Sequence, residues 1–442
     1  MLSAFLSAFK TPDLRKKILF TLGIIAIYRF GATLPSPGVA YGNVQQCIAV
    51  MQEGDTNGVF TLLNLFSGGA LMSLSVFALG IMPYITASII LQLLTVVIPR
   101  LEQLRKEGQA GQAKITQYTR YLTLGLAILQ SSAFVALARS GQLFQNQCDD
   151  YPIVPETSLP TWVTLTALVT TMTAGTGVVM WLGELVTDRG VGNGMSVLIF
   201  TSIAARLPSE GWTILKNQGA WGFAGIIAVV LVVIALVVYI EQAQRRIPVQ
   251  YAKRMVGRRM YGGTSTYIPM KVNQAGVIPV IFASSLLYIP RLVLDFLRSD
   301  NPSSTYIFVE KYFADPTSWS YITLYGLLII FFTYFYVSIT FNPTEIADNM
   351  KKYGGFVPGI RPGKPTADYL GFISSRITAP GSLYLAAIAV LPNLFFIALD
   401  SQQYQNFPFG GTAVLIMVGV GLETVKQIES QLMQRSYEGF LR

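Results

Sequence analysis

The sequence predicts an all-α membrane protein of ten transmembrane helices arranged in two inverted halves of five. Three observations carry that prediction: scarce charge, a series of long apolar runs, and a repeat placed in spans of opposite direction. The chain of 442 residues is 52% apolar and only 12% charged, whereas soluble domains carry roughly 25% charged residues. Runs such as 75–98 and 223–240 exceed the ~18 apolar residues that cross a ~30 Å hydrocarbon layer as a helix.

The spans are predicted at 18–34, 75–98, 119–138, 161–182, 191–207, 221–240, 275–293, 319–341, 377–399 and 408–427. The first and fifth are short, and the last is interrupted by Glu423 and Lys426. Ahead of the first span, Leu2, Phe5, Leu6 and Phe9 fall at i, i+3, i+4, i+7, followed by Lys10, Arg15, Lys16 and Lys17. This tail, 1–17, reads as an amphipathic helix on the cytoplasmic membrane surface and not as a cleavable signal peptide. Residues 18–207 then make the N-terminal half, 208–427 the C-terminal half and 428–442 a cytoplasmic C-tail.

Basic residues orient the chain. The net charge is +9, and 25 of the 32 Lys and Arg fall in the two tails and the even-to-odd loops (2–3, 4–5, 6–7, 8–9) or at the span ends that border them. Six lie in the opposite loops or at the span ends bordering those, and Arg29 lies inside span 1. The positive-inside rule then puts both termini in the cytoplasm. Loop 6–7 alone holds seven basic residues. Two readings stay open for it: orientation plus contact with anionic lipid headgroups, or a docking surface for an acidic or nucleic-acid partner held by Lys253, Arg254, Arg258 and Arg259.

Span 2 contains GIMPYITASIIL (80–91) and span 7 contains GVIPVIFASSLL (276–287), with six identities in twelve positions, among them Gly80/Gly276, Pro83/Pro279 and Ile85/Ile281. The spans run in opposite directions and each is second in its half, the pattern of an inverted duplication with the pathway between the halves. Each copy carries a helix-weakening proline and small residues that allow close packing and breathing. The segment 59–73 is apolar but too short to span, and Gly68-Gly69 breaks it. It is either an interfacial helix or a re-entrant element, which survives at membrane depth only when buried in protein or lining a water-filled cavity.

Chemistry is restricted. There is no His, and two cysteines are too few for a zinc or iron–sulfur site. No Ser–Lys or Asp pair falls at mid-span and no nucleotide-binding motif is present, so neither an enzyme nor a cofactor or metal is expected. A small-solute transporter also uses inverted repeats, but would carry membrane-embedded carboxylates for ion coupling. Here Glu184, Asp188 and Glu423 sit at cytoplasmic span ends.

Long segments resemble the SecY family of bacterial protein-translocation channels, almost end to end. They are 65–97, similar to the family's plug and second helix, RKEGQAGQAKITQYTRY (105–121), GNGMS (192–196), 251–285 and NPTEIADNMKKYGGFVPGIRPGKPT (342–366). The resemblance has an actinobacterial character. It implies two five-helix halves around a central hourglass pore in the cytoplasmic membrane. Through that pore unfolded preproteins would pass, and transmembrane segments and signal sequences would leave sideways into lipid. It also implies SecE and SecG as small partners and SecA or the ribosome as the driver of a passive pore.

By the resemblance, the constriction is formed by Ile81, Ile85, Met195, Ile199, Ile281 and Ile416, and the plug includes Leu62, Leu63, Asn64, Phe66, Gly68 and Gly69. Gln92, Asn193 and Asn273 fall at a lateral gate between spans 2 and 7, and Arg361 joins the basic loop residues as a docking position. The family has isoleucine at most ring positions, so Met195 implies a softer ring, Met being unbranched and adaptable. An apolar ring suits a channel that passes polypeptide yet bars ions, because a dewetted constriction offers ions no hydration. Read without the resemblance, each isoleucine is better explained by lipid contact or helix packing than by a pore.

Cys47 and Cys148 both fall in loops assigned to the extracytoplasmic side, where disulfides persist. A Cys47–Cys148 disulfide is the expectation, set against two unpaired thiols; its loop of about 100 residues would stabilise by at most roughly 4–5 kcal/mol.

Overall fold

The structure is a computed structural model, and it describes residues 9, 11–53, 67–139, 153, 160–251, 254–256, 259–261, 265–296, 304–314, 318–398 and 411–440. Its helices are α1 (Pro12–Thr33), α2 (Tyr41–Glu53), α3 (Met82–Val97), α4 (Pro99–Lys106), α5 (Gln109–Arg139), α6 (Thr161–Arg189) and α7 (Gly194–Gln242) in the first part of the chain. Strands β1 (Gln244–Tyr251), β2 (Arg254–Val256), β3 (Arg259–Tyr261) and β4 (Ser265–Lys271) follow. Then come α8 (Ile278–Phe296), α9 (Ser304–Val309), α10 (Trp319–Thr340), α11 (Pro343–Lys352), β5 (Gly355–Phe356), α12 (Lys364–Ala398) and α13 (Gly411–Phe440).

Each of the ten predicted spans falls on one of these helices. Five described stretches are individually long and apolar enough to cross a membrane: Gln109–Arg139, Thr161–Arg189, Gly219–Gln242, Trp319–Lys352 and Lys364–Leu391. The second span departs from expectation. It turns helical only at Met82, and its 16 residues rise about 24 Å, short of a ~30 Å hydrocarbon layer. The preceding 67–81 is a chain of turns with Gly68, Gly69, Leu74 and Gly80 at positive φ. Most of it is buried, Ala70 and Ser75 completely, as irregular backbone must be where no water can satisfy it.

The repeat prolines are not mid-helix weak points. Pro83 and Pro279 each stand second in their helices, where the missing N–H is not needed and the fixed φ suits the helix. The glycines three residues earlier, Gly80 and Gly276, have φ 55° and 63°, a turn that residues with a side chain enter only at a cost. The shared motif is a helix-start signal. Beyond span 5 the expected loop 208–220 is helical instead, and the chain breaks helical geometry only at Gly219 (φ 71°, ψ 177°). The predicted C-tail continues α13 to Phe440.

The apolar core is divided as the repeat suggests. One cluster lies within the N-terminal half around Leu71, Phe134, Leu168 and Met172. A second lies within the C-terminal half around Val237, Phe282, Ile329 and Leu385. A third draws on both halves.

Loop 6–7 is a β-hairpin. β1 pairs antiparallel with β4 from Gln244↔Lys271 to Gln250↔Ser265, and β2 pairs with β3 near its tip. β5, from loop 8–9, adds to the other edge of β1 through Gln250↔Phe356 and Tyr251↔Gly355. Ile247 and Val249 are buried between exposed neighbours, the period-2 pattern of a half-buried strand. Ile247 and Met270 pack with Val357, Leu370 and Ile373, so the two most basic loops share one seat on the start of α12.

Candidate functional site

The third cluster joins the halves. Ile81, Ile199, Ile281 and Ile416 are buried there, and Ile85 and Met195 pack against them. Ile81 comes from the turn before α3, Ile85 from α3, Met195 and Ile199 from α7, Ile281 from α8 and Ile416 from α13. Ile81 and Ile416 are each 1% exposed. Gly183 of α6 makes room for Met195, since a Cβ there would lie 2.4 Å from the Met195 sulfur.

Beside this cluster opens a cavity of about 480 Å³. Ile85, Met195, Ile199 and Ile281 form part of its apolar wall, while Ser88, Gln92, Asn193, Arg120, Glu184 and Asp188 give it a polar side. It lies between α3 and α8, the two repeat helices. Gln92 and Asn193 therefore meet where a gate was expected, but their bonds are local. Gln92 donates to Ser88 Oγ at 3.5 Å. Asn193 caps α7, accepting from Met195 N at 3.1 Å and Ser196 N at 3.4 Å. Arg120 and Glu184 form a two-pronged ion pair at 2.9 and 2.8 Å, tying α5 to α6. Sequence reading missed that pair, because the partners stand 64 residues apart.

Asn273 does not line this cavity. It is buried at the base of α8, where it donates to Glu241 at the end of α7 and to the Gly276 carbonyl. Gln274 next to it accepts from Ser374 Oγ of α12 at 3.1 Å. The start of α8 is thus fixed by polar bonds to α7 and α12.

At the other end, Tyr28 of α1 is fully buried, stacks on Phe77 with centroids 6.0 Å apart, and shares a 2.7 Å hydrogen bond with Ser202 of α7. Its neighbour Arg29 donates to the Gly68 carbonyl at 3.1 Å. Of the residues expected to form a plug, Gly68 and Gly69 are described, whereas Leu62, Leu63, Asn64 and Phe66 lie outside the described residues.

Arg361 is exposed in the loop after β5. Arg254 and Arg259 stand on β2 and β3, and Lys253 and Arg258 lie outside the described residues. On α4, exposed Glu102 is held below its usual carboxylate range by the hydrogen bond and charge of Lys106, 2.7 Å away. Cys47 of α2 is buried within the N-terminal cluster and is disulfide-bonded; Cys148 lies outside the described residues. Among the described residues no group of three or more His, Cys, Asp and Glu could hold a metal.

Comparisons with known proteins agree with this geometry. The family model SecY matches residues 75–425. The chain is 64% identical over 446 residues to protein translocase subunit SecY of Mycobacterium tuberculosis, with 100% of both chains covered. It is 65% identical over 447 residues to that of Streptomyces scabiei, again with 100% of both covered. A solved protein-conducting channel superposes with a TM-score of 0.64 at 17% identity, over 94% of this chain and 91% of the other. A SecY structure whose plug domain is described as stabilising the closed state and maintaining a membrane seal gives 0.62 at 18% identity, over 94% and 91%. Canine Sec61 in a ribosome–channel complex gives 0.60 at 17%, over 94% and 91%.

Proposed function

The chain belongs to the SecY family, and from that premise we propose that it is the protein-conducting channel of a Sec translocase in the cytoplasmic membrane, with both termini in the cytoplasm. It passes unfolded preproteins and releases transmembrane segments sideways between α3 and α8. The observation that carries this reading is the convergence of six apolar side chains from both halves in one cluster. Such a ring grips any polypeptide without sequence preference and stays dry when idle, so ions do not follow. The segment ending at Gly68-Gly69 acts as the plug that keeps the idle channel closed, as described for the SecY structure above. The amphiphilic cavity suits a helix that samples pore and lipid, since Leu gains and Asp or Arg loses free energy in hydrocarbon.

The pore is passive. The sequence carries no nucleotide-binding motif, and the driving force comes from SecA or from the ribosome, docked on the basic loops through Arg254, Arg258, Arg259, Lys253 and Arg361. SecE and SecG complete the complex, and anionic lipids meet the remaining cytoplasmic charge. Cys47 pairs with Cys148 and closes the outer face of the N-terminal half; two freely labelled thiols in the denatured, unreduced protein would contradict that. The test of the whole reading is reconstitution. With SecE-like and SecG-like subunits in vesicles, added SecA and ATP should carry a preprotein into a protease-protected space. No protection with an active motor would overturn the channel reading.

A further inference from the structure

We propose that Arg29 is a positioning residue for the plug: its guanidinium holds the Gly68 carbonyl while the channel is sealed and releases it when the plug leaves. The proposal rests on the plug reading above and adds the residue that fastens it. Arg29 lies inside the first predicted span, and a charge at membrane depth persists where it has a partner and a task. Its partner is a main-chain oxygen turned outward by two successive left-handed glycines, Gly68 (φ 68°) and Gly69 (φ 93°).

The segment 67–81 is held unequally at its two ends. Near 74–77 the grip is extensive: Ser36 N donates to Leu74 O at 3.1 Å, Val76 N donates to Leu34 O at 2.9 Å, and Phe77 stacks on buried Tyr28. At Gly68 a side chain holds the segment, Arg29 donating to the partly buried carbonyl. Gly68 is wedged there, for a Cβ would lie 2.8 Å from Arg29 Nη1 and 3.3 Å from the Ser202 backbone. A guanidinium–carbonyl bond is strong enough to bias a two-state element, and water can replace it. The firm end keeps the root of the plug in place, and the glycine pair supplies the freedom to turn once Arg29 lets go.

The test uses the complete complex in planar bilayers, without preprotein or motor. Arg29→Gln should raise the idle open probability about tenfold, the order expected for losing one charged hydrogen bond, and Arg29→Lys should return most of it. Gly68→Ala should match Arg29→Gln, because its Cβ displaces the guanidinium, and the double variant should add nothing. Translocation of a preprotein with an intact signal should stay unchanged in Arg29→Gln, which a general packing defect would not allow. Deleting 60–72 should open the idle channel, and Arg29→Gln should then be silent. If the deletion leaves the idle channel shut, the plug reading falls and the latch with it. If the deletion opens it but neither Arg29→Gln nor Gly68→Ala does, the plug stands and the latch is overturned. An effect of Arg29→Gln that persists without the plug also overturns it. Should Arg29→Gln fail to assemble, Gly68→Ala reads the same contact with the arginine intact.

Discussion

The two copies of the repeat start their helices alike and are approached differently. In both, a left-handed glycine, Gly80 or Gly276, precedes a helix with proline in its first turn. In the N-terminal copy the approach is a buried chain of turns, 67–81, pinned to α1. In the C-terminal copy it is strand β4 followed by Asn273, fastened to Glu241. One helix-start device is therefore preceded by a buried chain of turns in one half and by a sheet in the other. The repeat conserves what aims the helices at the junction, and the function of each half resides in what is attached in front.

The sharpest test of this equivalence uses Ile85 and Ile281, which occupy the same repeat position and meet in the same cluster. Ile85→Asn and Ile281→Asn should both wet the constriction, because a buried polar group draws in water. Export of preproteins with defective signals should rise by about tenfold or more, since 1.4 kcal/mol of relative stabilisation of the open state suffices. Ile416→Asn, from outside the repeat, should act likewise. If one repeat variant leaks and the other keeps wild-type conductance and selectivity, the two positions are not equivalent.

Next in size is removal of the N-terminal attachment. Deleting 60–72 should leave a folded, membrane-assembled protein, since the segment is no span and carries no basic residue, while idle conductance rises. Loss of assembly would make the segment structural. The C-terminal attachment should respond in the opposite way. Arg361→Glu, or Arg258→Glu with Arg259→Glu, should weaken SecA-driven translocation several-fold and leave the idle seal intact. Unchanged SecA affinity and translocation in Arg361→Glu would remove that residue from docking. The smallest effect belongs to the helix start itself. A Cβ on Gly276 would meet nothing within 4 Å, so Gly276→Ala should cost only the backbone penalty, about 1 kcal/mol. A melting temperature unchanged in detergent would contradict a strict need for the left-handed turn.

The spans were legible because apolar runs and basic loops are local signals, and local signals survive in one sequence. The meeting of Ile81, Ile85, Met195, Ile199, Ile281 and Ile416 in one cluster was not legible from pattern alone: an isoleucine facing lipid and one facing a pore look the same in sequence, and family resemblance singled these out. The sheet was readable in principle, from the alternation around Ile247 and Val249, but dense positive charge in QRRIPVQY masked it. The prolines misled because Pro83 and Pro279 lie well inside apolar windows, and hydropathy does not say where helical geometry begins. Pairs such as Tyr28–Ser202, Arg120–Glu184 and Glu241–Asn273 join distant parts of the chain, and no periodicity announces them.

The β4–β1–β5 sheet has a mechanical consequence. Two loops that are separate in sequence are clamped side by side by main-chain bonds, and the clamp ends at Lys271, three residues ahead of Gln274, which accepts from Ser374 of α12. A push on the tip of one loop cannot spend itself in bending that loop; it is shared across the strands as a stiff yoke shares a load. The arm of the yoke ends at the root of α8 through Lys271 and Asn273. A motor that leans on either loop thus applies torque to the same helix, and traction need not be delivered at one fixed point of contact.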